Sequence, residues 1–310
     1  MYLFGIDLGG TTVKLGLFDE KGTILDKWEI PTRKENNGSL ILQDIADAIL
    51  AKMEERSIDK KDVIGAGMGV PGPVDAKGIV HKCVNLGWGE MNVADDLSAK
   101  LGFPVKAGND ANVAALGELW QGGGKGYRNM VAVTLGTGVG GGVIIEGQMI
   151  AGATGAAGEI GHIHVEDEET EVCGCGKKGC LEQYASATGI VRLAQRRLAK
   201  DDKPSILREN EVGGKAVWDA VKSGDELAIE VAEQFGEYLG KGLASIADVV
   251  NPEVFVIGGG VSKAGEVLLP YIEKNFHKYV FHACDGAKCV LATLGNDAGI
   301  VGAARLILGE

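Results

Sequence analysis

The hydrophobic residues of the chain alternate between short apolar runs and longer segments with helical spacing. The short runs predict strands at 2–7, 13–18, 23–30, 63–70, 104–107, 130–135, 143–145, 148–151, 254–257 and 289–294. The longer segments predict helices at 41–53, 93–101, 111–121, 188–199, 214–222, 225–249, 263–276 and 298–308. Strands that alternate with helices are typical of an α/β fold.

Two stretches of the chain repeat the same order of elements. The sequences IDLGGTTVKLGLFDEKGTIL at 6–25 and VTLGTGVGGGVIIEGQMI at 133–150 each predict strand, glycine turn, strand, turn and strand. Internal repetition of this kind, in a chain of 310 residues, predicts two similarly built domains. We expect a small α/β domain at 1–115 that takes back the last helix at about 297–310, and a large α/β domain at 116–296.

Composition and charge exclude several classes of protein. The chain has 45% hydrophobic and 24% charged residues, as ordinary soluble proteins do. Its net charge of −12 argues against a nucleic-acid partner. The N-terminal sequence MYLFGIDLGG lacks the features of a signal peptide, and the uncharged stretch at 129–145 is too short and glycine-rich to span a membrane. We therefore expect a cytoplasmic protein without membrane contact.

Half of the six cysteines lie close together in one glycine-rich loop. Cys173, Cys175 and Cys180 have the spacing C-x-C-x4-C, with His162 and His164 just upstream. Three thiolates and one imidazole complete the tetrahedral shell of a structural zinc ion, with either histidine as the fourth ligand. The alternatives are three unconnected thiols or a disulfide, and a bridge between Cys173 and Cys175 would be strained.

Glycine-rich turns follow three of the predicted strands, at 9–10, 136–142 and 258–260. Such turns direct backbone N–H groups toward a common point and suit phosphate binding, although a hairpin also needs glycine simply to turn. None of them matches G-x-x-x-x-G-K-[ST], so the chain is not a P-loop protein. The third also lacks the G-x-G-x-x-G spacing of dinucleotide folds.

Two aspartates end predicted strands. Asp7 stands at the first glycine turn, where it could hold hydrated Mg²⁺ against phosphates or simply bond its own backbone. Asp110 precedes a helix, and its position alone favours an N-cap over a general base that removes a proton from a substrate hydroxyl. Its neighbour Asn109 could fix a ligand that is rich in hydroxyl groups.

Glutamates on either side of the cysteine cluster are candidates for binding sugar hydroxyls. Glu159 and Glu182 carry carboxylates that can accept hydrogen bonds from adjacent O–H groups. The acidic run at 166–169, by contrast, has the composition of a solvated segment.

Taken in order, the motifs resemble those of the ROK family of sugar kinases and, within it, the bacterial glucokinases. The resemblance covers essentially the whole chain. It rests on DLGGTT at 7–12, GVPGPVD at 69–75, NLGW at 85–88, GND at 108–110, LGTGVGGG at 135–142, GEIGH at 158–162, CGCGKKGCLE at 173–182 and GGGVS at 258–262.

The resemblance implies an actin/hexokinase-type fold, with two ribonuclease H-like domains around a cleft. It implies ATP with Mg²⁺ as cofactor, and it makes Asp110 the catalytic base rather than an N-cap. The residues that it assigns to the nucleotide are Asp7, Gly9, Gly10, Thr11, Thr12, Lys14, Gly136, Thr137, Gly138, Gly258, Gly259 and Gly260. The residues that it assigns to the sugar are Gly69, Asn85, Asn109, Asp110, Glu159, His162 and Glu182. The zinc ligands that it implies are His162, Cys173, Cys175 and Cys180.

The function that the resemblance implies is ATP-dependent phosphorylation of glucose to glucose 6-phosphate, a step of glycolysis. The segment NLGW favours glucose. The alternatives are a kinase for fructose, mannose or N-acetylmannosamine, and a non-catalytic sugar sensor. Repressors of the family carry a helix-turn-helix ahead of the first strand, for which a strand at residue 2 leaves no room. Relatives are often dimers or tetramers, so we expect a homodimer or homotetramer.

Overall fold

The structure is a computed structural model that describes residues 1–75, 77–81, 83–209 and 211–309. Its strands are β1 (Tyr2–Leu8), β2 (Thr12–Asp19), β3 (Ile24–Pro31), β4 (Val63–Val70), β5 (Ile79–Val80), β6 (Met91–Asn92), β7 (Val105–Asn109), β8 (Met130–Leu135), β9 (Val139–Ile145), β10 (Gln148–Met149), β11 (Val254–Gly258) and β12 (Lys288–Leu291).

Most of the α-helices lie at the predicted segments, although the four-residue helices α1 and α5 were not predicted. They are α1 (Glu35–Gly38), α2 (Ile41–Glu55), α3 (Val93–Leu101), α4 (Asp110–Gln121), α5 (Glu182–Ala185), α6 (Ala187–Leu198), α7 (Gly214–Lys222), α8 (Glu226–Val250), α9 (Leu269–Tyr279) and α10 (Ala298–Leu308). No helix among the described residues is long and apolar enough to cross a membrane.

The described residues form two compact units, each made of more than one segment. The first unit comprises Met1–Arg128, Gly142–Gly158 and Leu294–Glu310, and the second comprises Asn129–Gly141 and Glu159–Thr293. The predicted domain boundary at residue 115 falls inside α4, an unbroken helix that lies wholly in the first unit.

The first unit is built on a five-stranded sheet of order β3-β2-β1-β4-β7. β1 pairs antiparallel with β2 and parallel with β4, so that Gly5 lies opposite Gly67. A Cβ at Gly67 would lie 1.7 Å from the carbonyl oxygen of Ala303 in α10, and one at Gly5 would lie 2.0 Å from that of Ile300. The two glycines therefore let the last helix rest directly on the sheet.

The other face of this sheet carries the larger core of the first unit. Phe4 and Ile6 of β1 are fully buried there with Ile45 and Ile49 of α2 and Leu97 of α3. Burying a large apolar side chain contributes roughly 1.5–3 kcal/mol each. The alternation of buried residues along β1 thus places α2 and α3 on one face and α10 on the other.

The second sheet repeats the strand order of the first, as β10-β9-β8-β11-β12. β11 runs parallel to both β8 and β12, as β4 does to β1 and β7. The internal repeat seen in the sequence is therefore a repeat of sheet topology. The boundary between the two units falls within β9.

The second unit packs its long helix α8 against α9. A Cβ at Gly236 of α8 would lie 2.3 Å from the carbonyl oxygen of Tyr271, so glycine permits the close approach of these helices. Around this contact the aromatic rings of Trp218 and Phe235 meet edge to face at 5.6 Å. This geometry is favourable for aromatic pairs.

Two predicted elements differ most clearly from the structure in their bounds. The second glycine turn was predicted to extend to residue 142, but β9 begins at Val139. Gly142 lies within that strand, and glycine is needed there because a Cβ would be 2.5 Å from the Cβ of Ala115 in α4. The helix predicted at 263–276 begins only at Leu269, since Gly265, with φ of 82°, separates two short 3-10 turns before it.

Candidate functional site

The carboxyl ends of three neighbouring parallel strands bring the predicted residues of the first unit together. In the register of β1, β4 and β7, Asp7 lies opposite Gly69, and Gly69 lies opposite Gly108. Asp110 follows β7 directly, and a Cβ at Gly69 would lie 3.5 Å from its Cα. The base candidate and the magnesium candidate thus share one edge of the first sheet, where open α/β sheets bind ligands.

Asn109, and not Asp110, is the N-cap of helix α4. Its side-chain oxygen accepts a hydrogen bond from the N–H of Asn112 at 3.1 Å. The N-cap interpretation of Asp110 is therefore wrong, because α4 begins at Asp110 itself, one residue earlier than that interpretation requires. The amide nitrogen of Asn109 donates to the carbonyl of Gly72 and to Asp110 Oδ1, each at 3.1 Å.

Asp110 is held by its neighbours in a largely buried position. Its Oδ1 accepts a hydrogen bond from the N–H of Ala111 at 2.8 Å, in addition to the bond from Asn109. Burial raises the pKa of Asp110, and the negative charge of Asp7 adds to that effect. A carboxylate with a raised pKa is a better proton acceptor than an exposed one.

Asp7 lies between a cation and the start of the last helix. Burial raises its pKa, and Lys14, with Nζ 3.8 Å from Asp7 Oδ2, opposes that shift. A Cβ at Gly299 would lie 2.6 Å from the carboxyl carbon of Asp7. Gly299 therefore lets the first turn of α10 approach this carboxylate, and the helix dipole favours negative charge there.

Hydrogen bonds from Thr32 hold the backbone of the first glycine turn. This residue was not predicted from the sequence. Within the turn, the N–H of Gly9 donates to the carbonyl of Thr12 at 3.0 Å. The buried hydroxyl of Thr32 donates to the carbonyl of Gly9 at 2.7 Å, and the N–H of Thr32 donates to that of Thr11 at 2.9 Å. Fixing these carbonyls also fixes the direction of the N–H groups of the turn.

Asn85 lies exposed in a short 3-10 turn, Val84–Leu86, of the first unit. The end of the NLGW motif anchors this turn. Trp88 is buried and donates from its indole N–H to the carbonyl of Gly38 at 3.3 Å, and Gly87 has φ of 74°. The sugar candidate is thus exposed on a segment that is fixed by a buried aromatic side chain.

The glycine turn of the second unit lies directly against Glu182. The N–H of Gly136 donates to the carbonyl of Gly138 at 3.0 Å. A Cβ at Gly138 would lie 2.5 Å from Glu182 Oε2. A Cβ at Gly259, where φ is 86°, would lie 2.5 Å from the carbonyl of Leu135. Glycine at these positions therefore allows the second turn, the third turn and a sugar candidate to lie together in this unit.

The predicted zinc ligands lie around one point. The ligand atoms of His162, Cys173, Cys175 and Cys180 are all within 4.8 Å of one another. The Sγ atoms of Cys175 and Cys180 are 3.6 Å apart, and Cys173 Sγ is 3.8 Å from His162 Nδ1. A tetrahedral shell with Zn–S bonds of about 2.3 Å spaces its ligands by about 3.5–4 Å. The donor set therefore fits zinc, and all six cysteines are free of disulfides.

The geometry favours His162 over His164 as the fourth ligand. Both ring nitrogens of His164 have other partners, since Nδ1 lies 3.0 Å from the carbonyl of Lys178 and Nε2 lies 2.8 Å from Asp167. The thiol of Cys173 lies 2.9 Å from Glu182 Oε1, and burial raises the pKa of Cys173 to about 12. Metal binding must displace that proton, because the thiolate is the ligand.

The two nitrogens of His162 are directed to different groups. Nδ1 is 3.6 Å from Glu182 Oε1 on the side of the cysteines, whereas Nε2 is 3.9 Å from the exposed Glu159. A single imidazole can therefore bind a metal through one nitrogen and contact a carboxylate or a ligand through the other.

The acidic run at 166–169 is not simply solvated. The side chain of Glu169 is fully buried and paired with Arg192 and Arg196, and it also accepts a hydrogen bond from the hydroxyl of Tyr184. The solvated interpretation is wrong for this residue because α6 supplies two arginines that no local pattern relates to it. Glu169 therefore connects the cysteine loop to helices α5 and α6.

A cavity of about 320 Å³ in the second unit brings several of these parts together. Thr137 and Gly138 of the glycine turn line it, together with Cys173, Glu182 and Thr188. The glycine turn, the cysteine loop and the start of α6 thus border the same space.

The profile of the ROK family matches residues 3–310. The chain belongs to the ROK family. This ROK protein is 44% identical over 309 residues to a glucokinase of Halalkalibacterium halodurans, an alignment that covers 98% of this chain and 94% of the relative.

Two solved ROK structures are similar over almost their whole length. The ROK family glucokinase of Streptomyces griseus, in complex with glucose and AMPPNP, is 35% identical with a TM-score of 0.73, and 99% of each chain is covered. The ROK hexokinase of Thermus thermophilus is 32% identical with a TM-score of 0.80, over 98% of this chain and 97% of that one. The predicted α/β fold of the actin/hexokinase type is confirmed.

Proposed function

We propose that this protein phosphorylates glucose at its 6-hydroxyl with ATP. The observation that carries the proposal is the environment of Asp110. Its carboxylate is largely buried next to Gly69, and burial raises its pKa. By resemblance, this is the residue that acts as the base in ROK kinases. The 44% identity to a glucokinase supports glucose as the sugar. Hexose phosphorylation of this kind is a step of glycolysis.

In this proposal Asp110 accepts the proton of the sugar hydroxyl as that oxygen attacks the terminal phosphoryl group. The bonds from Ala111 and Asn109 to Oδ1 hold the carboxylate in a single orientation. Positioned proton acceptors of this kind contribute typically about 10²–10⁴-fold to the rate. The remaining acceleration must come from the groups that hold the two substrates.

The nucleotide is assigned to the glycine turns and to Asp7. The N–H groups of the turns at 9–12 and 136–138 are the donors for phosphate oxygens, since backbone amides converge in such turns. The carboxylate of Asp7 is the ligand for hydrated Mg²⁺, and Lys14 adds a positive charge next to it. Magnesium supplies charge neutralisation to the phosphates when it is bound.

The sugar is assigned to Gly69, Asn85, Asn109, Asp110, Glu159, His162 and Glu182. Zinc is structural in this proposal, because three thiolates and His162 close its shell and leave no open position. Its role is to hold His162 and Glu182 in place for the sugar hydroxyls.

A hexose panel tests the proposal directly. ADP release is measured by a coupled assay with ATP and each of glucose, fructose, mannose and N-acetylmannosamine. We expect turnover with glucose at the highest kcat/KM. Turnover with another hexose only would move the proposal to that sugar, and binding of glucose without turnover with any sugar would refute a kinase.

Two further expectations concern the whole protein in its cell. We expect a cytoplasmic homodimer or homotetramer that contacts neither nucleic acid nor membrane. Light scattering coupled to size-exclusion chromatography measures the assembly state, and a monomer at micromolar concentration would contradict this expectation.

A further inference from the structure

The carbonyls of the second glycine turn are held by the start of helix α6. The N–H of Ala187 donates to the carbonyl of Gly136 at 2.8 Å. The hydroxyl of Thr188 donates to the carbonyl of Thr137 at 2.7 Å. These residues lie some fifty positions after the turn in sequence, so no local pattern connects them with it.

The first glycine turn has the same arrangement with a different donor. There the hydroxyl and the N–H of Thr32 hold the carbonyls of Gly9 and Thr11. Thr32 stands at the end of β3, which pairs with β2 along its whole length and so runs back to the turn. The equivalent strand β10 has only two residues, Gln148 and Met149, which pair with Ile145 and Ile144. It ends too early to hold the second turn.

A second hydroxyl extends this contact from the turn to Glu182. The oxygen Ser186 Oγ lies 2.9 Å from Thr188 Oγ1 and 2.6 Å from the carbonyl of Glu182, and it accepts a hydrogen bond from the N–H of Gly189. Ser186 is fully buried and caps α6.

The two hydroxyls have fewer protons than contacts. Ser186 and Thr188 carry one hydroxyl proton each, but three close oxygen–oxygen contacts join them to each other, to Thr137 and to Glu182. Each hydroxyl donates a single hydrogen bond. At any moment one of the three contacts therefore lacks a proton, and the pair can favour either the carbonyl of the turn or that of Glu182.

We propose that Thr188 is a positioning residue for the nucleotide and that Ser186 links it to the backbone of the sugar-binding carboxylate. In the second repeat Thr188 has the role that Thr32 has in the first. The short strand β10 ends too early to supply a residue for it. This inference rests on the proposed function, since it assigns nucleotide phosphates to the turn at 136–138. Thr188 acts through the carbonyl of Thr137 and not by contact with the reacting atoms.

The test compares two substitutions at one position. Thr188→Val removes the hydroxyl and keeps the branched shape, whereas Thr188→Ser keeps the hydroxyl. We expect Thr188→Val to raise the KM for ATP roughly three- to tenfold, the range for one lost hydrogen bond, with the KM for glucose changed less than about twofold. Thr188→Ser should restore the wild-type value.

Ser223→Ala is the matched control in the same unit. Its hydroxyl donates to the carbonyl of Asp219 at 3.0 Å, far along the chain from the turn, so both KM values should stay unchanged. The inference is overturned if Thr188→Val leaves the KM for ATP within about twofold of wild type. It is also overturned if both KM values rise equally, or if Thr188→Ser behaves like the valine variant.

Calorimetry separates this inference from the proposed function. The Kd of a non-hydrolysable ATP analogue is measured without sugar for the wild type and for both Thr188 variants. If no hexose is phosphorylated, the kinase proposal fails, while a weaker Kd in Thr188→Val alone still supports the role of Thr188. A wild type that binds no nucleotide overturns both.

Discussion

The two five-stranded sheets have the same strand order but carry different chemistry at their glycine turns. In the first repeat Asp7 and Lys14 flank the turn as a charged pair. At the equivalent positions of the aligned repeats the second has Thr134 and Gly141. One scaffold therefore supplies charge in the first unit and mainly backbone groups in the second.

The third strand of each repeat shows a second difference. β3 has eight residues and ends beside its own turn, whereas β10 has two. In the second repeat the chain continues instead into the cysteine loop and α6, which hold the turn and place Glu182 against it. Where the third strand of the repeat is short, contacts from α6 support the turn in its place.

The largest effect should come from removing the charge at the edge of the first sheet. Asp110→Asn keeps the size of the side chain and the oxygen that accepts hydrogen bonds from N–H groups, but it cannot take up a proton. We expect kcat to fall about 10²–10⁴-fold at saturating glucose and ATP. Near-normal turnover would show that the chemistry of the first unit does not depend on this carboxylate.

The pH dependence of the stability of this variant, relative to wild type, follows from the direction of the pKa shift of Asp110. Burial raises the pKa of Asp110 above the ordinary value of 3.8, so the folded state favours the protonated form. The stability that this preference contributes is fully present below the unfolded pKa and is lost as the pH rises through the folded pKa. Asp110→Asn should therefore be at least as stable as wild type at pH 7.

Two measurements check that reasoning. The difference in Tm between Asp110→Asn and wild type should narrow as the pH falls toward 3.8. In the wild type, kcat/KM should fall as the pH drops through the raised pKa of the free enzyme. If Asp110→Asn is less stable than wild type by the same amount at pH 7 and at low pH, burial of the Asp110 carboxylate does not destabilise its charged form.

Among the described residues, only the second unit contains the cysteine loop. We expect the loss of one of its ligands to have a smaller effect on the kinetics than the loss of the Asp110 charge. Cys175→Ser removes one of four ligands, so bound zinc should be lost and the KM for glucose should rise on the order of tenfold. The KM for ATP should change less. Metal content is measured by atomic emission alongside the kinetics.

Cys284→Ser is the control for this prediction, because Cys284 is a free, partly exposed cysteine outside the loop. It should leave zinc content and both KM values unchanged. If Cys175→Ser loses zinc but keeps a normal KM for glucose, the metal does not support the sugar site.

We expect the smallest effect on the kinetics from Thr32. This variant tests whether Thr32 and Thr188 have the same role in the two repeats. Thr32→Val removes the hydroxyl that holds Gly9, and we expect the KM for ATP to rise roughly three- to tenfold, with Thr32→Ser near wild type. Because Thr32 and Thr188 hold separate turns, the effects of the two valine substitutions on log KM should add. Strong non-additivity would mean that the turns are not supported independently.

The apolar pattern was sufficient to predict most elements, because their burial follows their own periodicity. β4, β8, α3, α7 and α10 have the predicted bounds. The short strands at 79–80 and 91–92 were missed since two residues carry no pattern. β9 was predicted too short because its Gly142 is required by packing against α4, which local sequence does not reveal.

The candidate site was predictable where a motif carries the chemistry in consecutive residues, as in the cysteine loop. It was not predictable where support comes from distant chain. Thr32, Thr188 and Glu169 are ordinary polar residues in sequence, and their roles arise from contacts with partners 15 to 51 positions away. Gly299 had one local signal, a glycine in the first turn of a helix, where it is otherwise unfavourable.

The seating of α10 on Gly5 and Gly67 has a consequence for biosynthesis. During translation, β1 and β4 emerge early, yet the helix that covers Leu3 and Phe18 is made only with residues 298–308. The first unit must therefore wait, with this face of its sheet covered only in part by α4, while the ribosome completes everything that lies between. A truncation in the final helix would accordingly damage the part of the protein that is synthesised first.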